Sequence, residues 1–316
     1  MDILQVKELG QKIEDNINNV IIGRKDTVHM VVASLLAGGN ILLEEVPGSG
    51  KTMLAKVLAL SVGGEFKRIQ MTPDLLPADV TGINFYNVKN SEFEFIKGPV
   101  FTNILIADEI NRATPKTQAG LLECMEEKQV TVDGKTYALE DTFMVIATEN
   151  PIDSQGVFPL PEAQLDRFLM KLTMSYPEHE DMMTIMKTHM KGYDLSTVKC
   201  VASKEDISEA KAAVTGVAVH DDIVEYVVNL TEATRRHDKL VLGVSQRGAL
   251  GIIKISQAIA ALDGRDYVLP DDVKDAFKVA TPHRVILKNS ERLVKGKVND
   301  IVAEILGTVP VPTEMI

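Results

Sequence analysis

The chain has 316 residues, of which 45% are hydrophobic and 25% charged, a composition typical of a globular protein with a sizeable core. A formal net charge of −11 argues against a general duplex-binding role, because contacts to nucleic-acid phosphates need clustered Lys and Arg. No apolar run reaches membrane-spanning length, and no signal peptide is visible. The two cysteines lack the spacing of a metal site. We therefore expect a cytoplasmic protein with reduced thiols.

The N-terminal segment has the periodicity of two helices. Apolar residues recur at helical spacing over 3–17, and a second helix is predicted over 24–36, where two glycines end it. Between them lies a short apolar strip that includes Ile22 and Gly23. Such a strip before the first strand of a nucleotide-binding domain often borders the adenine, and simple packing of a linker on the core is an equally good interpretation.

A strand, a glycine-rich loop and a helix follow one another over residues 41–62. The glycines let successive backbone N–H groups converge on phosphate oxygens, and the helix adds its positive end. Lys51 is predicted to reach the outer phosphates and the Thr52 hydroxyl to ligate Mg²⁺. Glu45 stands where the pattern G-x-x-x-x-G-K-[ST] has its first glycine, and a chance Gly-rich turn is the alternative. The predicted phosphate loop consists of Pro47, Gly48, Ser49, Gly50, Lys51 and Thr52.

Residues 65–101 contain a second predicted strand and a long insertion. The strand covers 65–70, and an irregular segment from residue 72 precedes strand-like alternation at Phe93 and Phe95. An insertion of this length, in a domain that otherwise alternates strand and helix, is usually functional or else disordered.

An acidic pair ends the next predicted strand. Residues 104–107 form a short continuous apolar run, typical of a strand buried in a parallel sheet, and Asp108 and Glu109 follow it directly. Open α/β sheets bind their ligands at this end of the strands. Asp108 is predicted to hold the Mg²⁺ shell and Glu109 to polarise an attacking water. The alternative is that both acids merely cap the following helix.

A helix and a hairpin come next. Thr114 is the predicted N-cap of the helix, and Pro115 takes its first position. Residues 129–139 are predicted to form a hairpin with Asp133-Gly134 as its two-residue turn. The hairpin either forms an edge of the domain or projects into a central channel.

Two further polar residues, Asn150 and Arg167, lie next to the ends of predicted strands. The strand over 143–148 ends close to Asn150, whose amide can bond both the water and the terminal phosphate, or can serve as a turn residue before Pro151. A short helix then leads to Arg167 and a strand over 168–174. Arg167 is a candidate for a trans-acting finger, and an intrachain pair with Asp166 or Glu162 is the alternative.

Beyond Pro177 the pattern shows no convincing strand alternation. We therefore predict an α/β domain with a parallel sheet over residues 1–176 and a smaller all-helical domain over 177–316. Arg247 lies near the start of the fourth of its helices. The predicted helices cover 178–191, 204–214, 220–236, 245–262, 270–279 and 291–306.

Taken together, these motifs resemble the MoxR family of AAA+ ATPases. The matching strings occur in family order across almost the whole chain, and an acidic residue at the Glu45 position is tolerated in that family. The strings are LLEEVPGSGKT at 42–52, ADEINRA at 107–113, ATENP at 147–151, LPEAQLDRF at 160–168 and GVSQR at 243–247.

The resemblance assigns roles to individual residues. It implies that Asn150 is sensor 1, that Arg167 is the finger presented to a neighbour's nucleotide, and that Arg247 is sensor 2 in a helical lid. Family members often have Pro before the sensor 2 arginine, whereas this chain has Gln246. Residues 72–101 resemble the helix-2 insert, and the hairpin at 129–139 resembles the pre-sensor 1 hairpin.

The resemblance also implies cofactors and partners. It predicts ATP and Mg²⁺ as cofactors, a homo-oligomer of the hexameric ring type, and a von Willebrand factor A domain protein as partner. The implied activity is ATP hydrolysis coupled to chaperone-like remodelling or maturation of a client protein complex. Alternatives are an ATP-dependent scaffold or switch with little turnover, which the Asp108-Glu109 pair argues against, and a nucleic-acid-associated ring motor, which the negative charge argues against.

Overall fold

The structure, a computed structural model, describes residues 1–45, 48–149, 157–190, 195, 198–288 and 296–312. In these ranges strands and helices alternate as far as Met174, and helices dominate afterwards. The helices are α1 (Ile3–Asn18), α2 (Lys25–Leu36), α3 (Lys51–Ser61), α4 (Pro77–Thr81), α5 (Pro115–Glu127), α6 (Glu162–Leu165), α7 (His179–Met190), α8 (Lys204–Thr215), α9 (Asp221–Arg236), α10 (Gln246–Leu262), α11 (Pro270–Ala280) and α12 (Lys297–Thr308). The strands are β1 (Ile41–Glu45), β2 (Phe66–Gln70), β3 (Gly82–Asn87), β4 (Glu92–Lys97), β5 (Ile104–Asp108), β6 (Gln129–Val132), β7 (Lys135–Ala138), β8 (Met144–Glu149), β9 (Met170–Met174), β10 (Leu240–Leu242) and β11 (Ile286–Leu287).

A five-stranded parallel sheet organises the first part of the chain. Its strand order is β2-β5-β8-β1-β9, and every neighbouring pair is parallel. The five strands therefore end together at one edge of the sheet, the carboxyl edge, and begin together at the opposite edge, the amino edge. This arrangement confirms the predicted α/β fold, and it brings the ends of β1, β5 and β8 close together.

Successive side chains along each strand of the sheet point into two different apolar cores. Leu43 and Ile106 point into a core shared with α1, α2, α3 and the helices from α8 onward. Leu42 and Leu105 point to the opposite face, which α5 covers. Residues one apart on a strand face opposite sides of the sheet, so the continuous apolar runs in the sequence reflect burial on both faces.

Two antiparallel hairpins project from this domain. The predicted hairpin at 129–139 is confirmed as β6 and β7, with positive φ at both Asp133 (49°) and Gly134 (78°), as its turn requires. The insertion over 72–101 contains α4 and the hairpin of β3 and β4, where the sequence indicated only the second strand. The hairpins contact each other through the stacked rings of Phe95 and Tyr137, whose centroids are 4.2 Å apart.

The C-terminal part is a helical assembly with one short ladder. The strands β10 and β11 pair antiparallel, and the sequence did not indicate them because runs of three and two residues are too short to show alternation. The predicted start of the last helix at residue 291 lies outside the described residues. One apolar core runs from α1 to α12, so a domain boundary at residue 177 stays a prediction. None of the described helices is long and apolar enough to cross a membrane.

Candidate active site

The glycine-rich loop links the end of β1 to the start of α3. Gly48 and Gly50 have φ values of 78° and 93°, a conformation that favours glycine, and Gly50 is the N-cap of α3. The backbone at the start of this helix is thus directed as a phosphate-binding loop requires. Two residues of the predicted loop environment, Val46 and Pro47, lie outside the described residues.

Lys51 and Asp108 meet at the carboxyl edge. Lys51 Nζ is 3.1 Å from Asp108 Oδ1 and 3.5 Å from Thr148 Oγ1. The Asp108 side chain is only 1% exposed, and its second oxygen accepts a hydrogen bond from Arg68 Nε at 2.6 Å. A buried carboxylate is costly unless it is paired, and here two cations from different elements pair with it.

The donor set at this edge suits a small hard cation. Within the described ranges, no group of three or more His, Cys, Asp or Glu side chains is placed to hold a metal ion. Thr52 is the second residue of α3 and Asp108 ends β5, so a hydroxyl and a carboxylate are the candidate protein ligands for a cation at this edge. This limited set fits Mg²⁺, which usually keeps several waters and substrate phosphates as its remaining ligands.

Glu109 is held beside Asp108 by bonds from three elements. Its backbone lies in the left-handed region (φ 56°, ψ 54°), and its N–H donates to Thr148 Oγ1 at 2.9 Å. Its Oε2 accepts hydrogen bonds of 3.0 Å from both Gln70 Nε2 and Arg112 Nη1. Glu109 makes no side-chain capping bond to the 3-10 turn that follows it. The site therefore presents this carboxylate at the edge where the glycine-rich loop lies.

The end of β8 completes the carboxyl edge. Thr148 contacts Lys51, Asp108 and the backbone of Glu109. Burial raises the pKa of the neighbouring Glu149, which Lys171 opposes. Asn150, the predicted sensor 1, lies outside the described residues. Sequence reasoning missed Thr148, although its position at the end of a predicted strand is a usable signal.

The turn at Ile22 and Gly23 also lies at this edge. Gly23 has φ of 72°, and a Cβ there would stand 2.2 Å from the Asp181 carboxylate of α7. Arg24 donates to the backbone oxygen of Ser175, the residue that directly follows β9. The turn thus packs beside the carboxyl end of the sheet, and contact with an adenine stays a prediction.

Arg167 and Arg247 lie at the opposite edge. Arg167 precedes β9 by three residues, and β9 starts level with the start of β1, because Met170 pairs with Ile41. A five-residue strand spans about 16 Å, and the glycine-rich loop follows the far end of β1. Arg167 is therefore remote from the glycine-rich loop of its own chain.

The two arginines share one carboxylate. Both form ion pairs with Glu126, near the end of α5, and Arg167 Nη1 also donates to the backbone oxygen of Leu122 at 3.2 Å. The acidic partner of Arg167 is thus Glu126, rather than Asp166 or Glu162. Sequence reasoning missed Glu126 because its distance from both arginines along the chain hides the contact.

Comparisons with known proteins agree with this arrangement. The family model "ATPase family associated with various cellular activities (AAA)" matches residues 40–170, and the model "AAA lid domain" matches residues 232–305. The chain is 47% identical over 306 residues to the uncharacterized protein YeaC of Bacillus subtilis, covering 97% of this chain and 95% of the relative. It is 38% identical over 305 residues to Chaperone MoxR1 of Mycobacterium tuberculosis, covering 94% and 80%. A crystal structure of a suggested ATPase from Cytophaga hutchinsonii superposes with a TM-score of 0.91 at 35% identity, covering 98% of this chain and 97% of that one.

Proposed function

The chain belongs to the MoxR family of AAA+ ATPases, and on that premise we propose that it hydrolyses Mg-ATP at boundaries between identical subunits. We propose further that hydrolysis drives chaperone-like remodelling or maturation of a partner protein complex. The observation that carries this proposal is the separation of two groups of residues. Lys51, Asp108 and Glu109 lie at the carboxyl edge of the sheet, whereas Arg167 and Arg247 lie at the amino edge.

The carboxyl edge supplies nucleotide binding in this proposal. The backbone of the glycine-rich loop cradles the phosphates, and Lys51 neutralises the β- and γ-phosphates. Thr52 and Asp108 would hold Mg²⁺, which when bound neutralises charge on the phosphate oxygens. The contact of Asp108 with Lys51 at 3.1 Å supports this placement, because it sets the proposed metal-binding carboxylate next to the proposed phosphate-binding ammonium.

Glu109 is the proposed water-orienting residue. An ionised carboxylate in line with the γ-phosphate suffices to position the attacking water. The hydrogen bonds from Gln70 and Arg112 fix the direction of this carboxylate before the water is engaged. The proposed sensor 1, Asn150, would bond the same water and the terminal phosphate.

The amino edge supplies charge to the nucleotide of the next subunit. Arg167 is too far along the sheet to reach its own phosphate loop, so the nucleotide it stabilises belongs to a neighbour. Because Arg247 pairs with the same Glu126, we propose that both arginines are presented to that nucleotide together. A trans arginine of this kind contributes on the order of a thousandfold in rate.

The proposed quaternary organisation and partners rest on the family resemblance. We propose a hexameric ring that works with a von Willebrand factor A domain protein and acts on a client complex in the cytoplasm. The name of the relative Chaperone MoxR1 supports a chaperone-like role. A ring also gives each carboxyl edge an amino edge to face, which fits the placement of the two groups of residues at opposite edges of the sheet.

Steady-state phosphate release tests this function. At saturating Mg-ATP, Arg167→Ala is expected to lower kcat on the order of a thousandfold while leaving nucleotide affinity unchanged. The matched control is Arg236→Ala, which removes an arginine whose side chain is 79% exposed and paired with Glu232 one turn away. An Arg167→Ala protein that turns over as fast as the control would overturn the proposal.

A further inference from the structure

All the side-chain N–H donors of Arg284 take part in hydrogen bonds at the amino edge of the sheet. It lies four residues after α11, its side chain is 3% exposed, and all five of its N–H donors have acceptors. Three of the acceptor residues, Asp166, Phe168 and Leu169, surround Arg167 in the chain. The bonds run from Nε to Asp166 Oδ1 (2.7 Å), from Nη1 to the oxygens of Leu169 (3.1 Å) and Ala280 (2.5 Å), and from Nη2 to the oxygens of Phe168 (2.6 Å) and Asp166 (3.3 Å).

The same carboxylate connects this network to α10. Asp166 Oδ2 accepts a hydrogen bond of 2.7 Å from Ser245 Oγ, and Ser245 is the N-cap of the helix whose second residue is Arg247. Gly248, in the first turn of that helix, lies so close that a Cβ would stand 2.7 Å from Arg284 Cδ. One guanidinium–carboxylate pair thus touches both the segment that carries Arg167 and the helix start that carries Arg247.

We propose that Arg284 is a positioning residue for ATP hydrolysis, which holds Arg167 and Arg247 in the relative placement needed at a neighbour's nucleotide. It acts through Asp166 and contacts no nucleotide itself. This inference rests on the proposed function, because it assumes that the two arginines stabilise the reacting phosphate. A lysine cannot replace Arg284, because an ammonium has three donors and lacks the planar fork that reaches a carboxylate and several carbonyls at once.

The test compares Arg284→Lys with a matched arginine in the same helical part. Arg265 also forks onto an aspartate, with both Nη atoms 2.7 Å from the Asp272 carboxylate, and its other described partners are Asp263 and Tyr267. We expect Arg284→Lys to lower kcat by about 10- to 100-fold, since small misplacements of catalytic groups have effects of that size. The affinity for a fluorescent ATP analogue should stay unchanged. Arg265→Lys should leave kcat unchanged, even though it also removes a bidentate arginine–aspartate interaction.

A second arm separates positioning from general stability. In an Arg167→Ala/Arg247→Ala background, adding Arg284→Lys should cause no further loss in single-turnover hydrolysis, because the groups it positions are absent. A further loss there, or an equal loss in Arg265→Lys, would overturn the inference. Should Arg284→Lys fail to fold, Ser245→Ala removes the bond to Asp166 together with the N-cap bond from the Gly248 N–H, and it keeps the buried charge pair. Its kcat should fall severalfold, and an unchanged kcat would overturn the inference.

The outcomes distinguish the inference from its premise. If Arg167→Ala loses turnover while Arg284→Lys keeps it, the positioning role is wrong and the proposed function stands. If Arg167→Ala itself keeps full turnover, the proposed function is wrong, whatever Arg284→Lys does.

Discussion

His283 is a buried histidine that must stay neutral in the folded protein. It is 6% exposed, and its Nε2 lies 3.0 Å from the Phe168 oxygen that Arg284 also bonds. A carbonyl only accepts, so Nε2 carries the proton, and Nδ1 has no described hydrogen-bond partner. Burial, together with the adjacent positive charge of Arg284, lowers the pKa of His283 well below 6.5. Acid should therefore destabilise the fold at this position.

The sign and size of the effect follow from proton linkage. As pH falls through about 6.5, the unfolded chain takes up a proton at His283 and the folded chain does not, so this contribution to stability is present above that pH and lost below it. The free energy of unfolding falls by about 1.4 kcal/mol per pH unit once the unfolded histidine is protonated. Between pH 7.5 and 5.5 the loss from this residue is therefore about 1.4 kcal/mol.

Urea unfolding at the two pH values measures this loss. His283→Gln keeps an amide that can donate to the Phe168 oxygen but does not titrate, so it should lose about 1.4 kcal/mol less than the wild type over the interval. The control is His189→Gln, at an exposed position of α7, whose pH dependence should match the wild type. A His283→Gln protein with the full wild-type loss would refute the reasoning.

Three further predictions concern the nucleotide site and the core. Glu109→Gln should retain ATP binding but hydrolyse it at least about 100-fold more slowly, as measured by phosphate release beside nucleotide titration; loss of binding would contradict the placement of Glu109. Asp108→Asn should raise the Mg²⁺ concentration needed for half-maximal hydrolysis by about tenfold, and an unchanged requirement would remove Asp108 from the metal site. Ile13→Ala, at a fully buried position of α1, should lower the free energy of unfolding by about 2–5 kcal/mol in urea, whereas a loss below about 0.5 kcal/mol would show that α1 is not part of the common core.

The elements that local patterns encode were predicted from sequence. The strand, glycine turn and helix around Lys51, and the buried strand that ends in Asp108, each depend on residues adjacent in the chain. Their meeting at one edge follows from the rule that parallel strands end together. Glu126 and Arg284 could not be found in this way, because each lies far along the chain from the charged residue it pairs with and only the tertiary fold brings them together.

Two further contacts, of Glu109 and of Arg167, depend on the tertiary fold and were not predicted from the sequence. Gln70 reaches Glu109 because β2 pairs with β5 in the register that sets Gln70 opposite Asp108, and register between distant strands is not visible in periodicity. The alternative interpretation of Arg167 likewise considers only its nearest acids, Asp166 and Glu162. Asp166 is instead bonded by Arg284 and Ser245, which leaves Glu126 for Arg167.

A subunit-mixing experiment tests most directly whether two chains build each active site. Glu109→Gln subunits keep Arg167 but lack the water-orienting carboxylate, and Arg167→Ala subunits have the reverse defect. Each protein alone should be nearly inactive, whereas mixtures should regain ATPase activity, because an intact Glu109 in one subunit then faces an intact Arg167 from another. Mixtures no more active than the sum of their components, under conditions where the subunits exchange, would contradict a shared site.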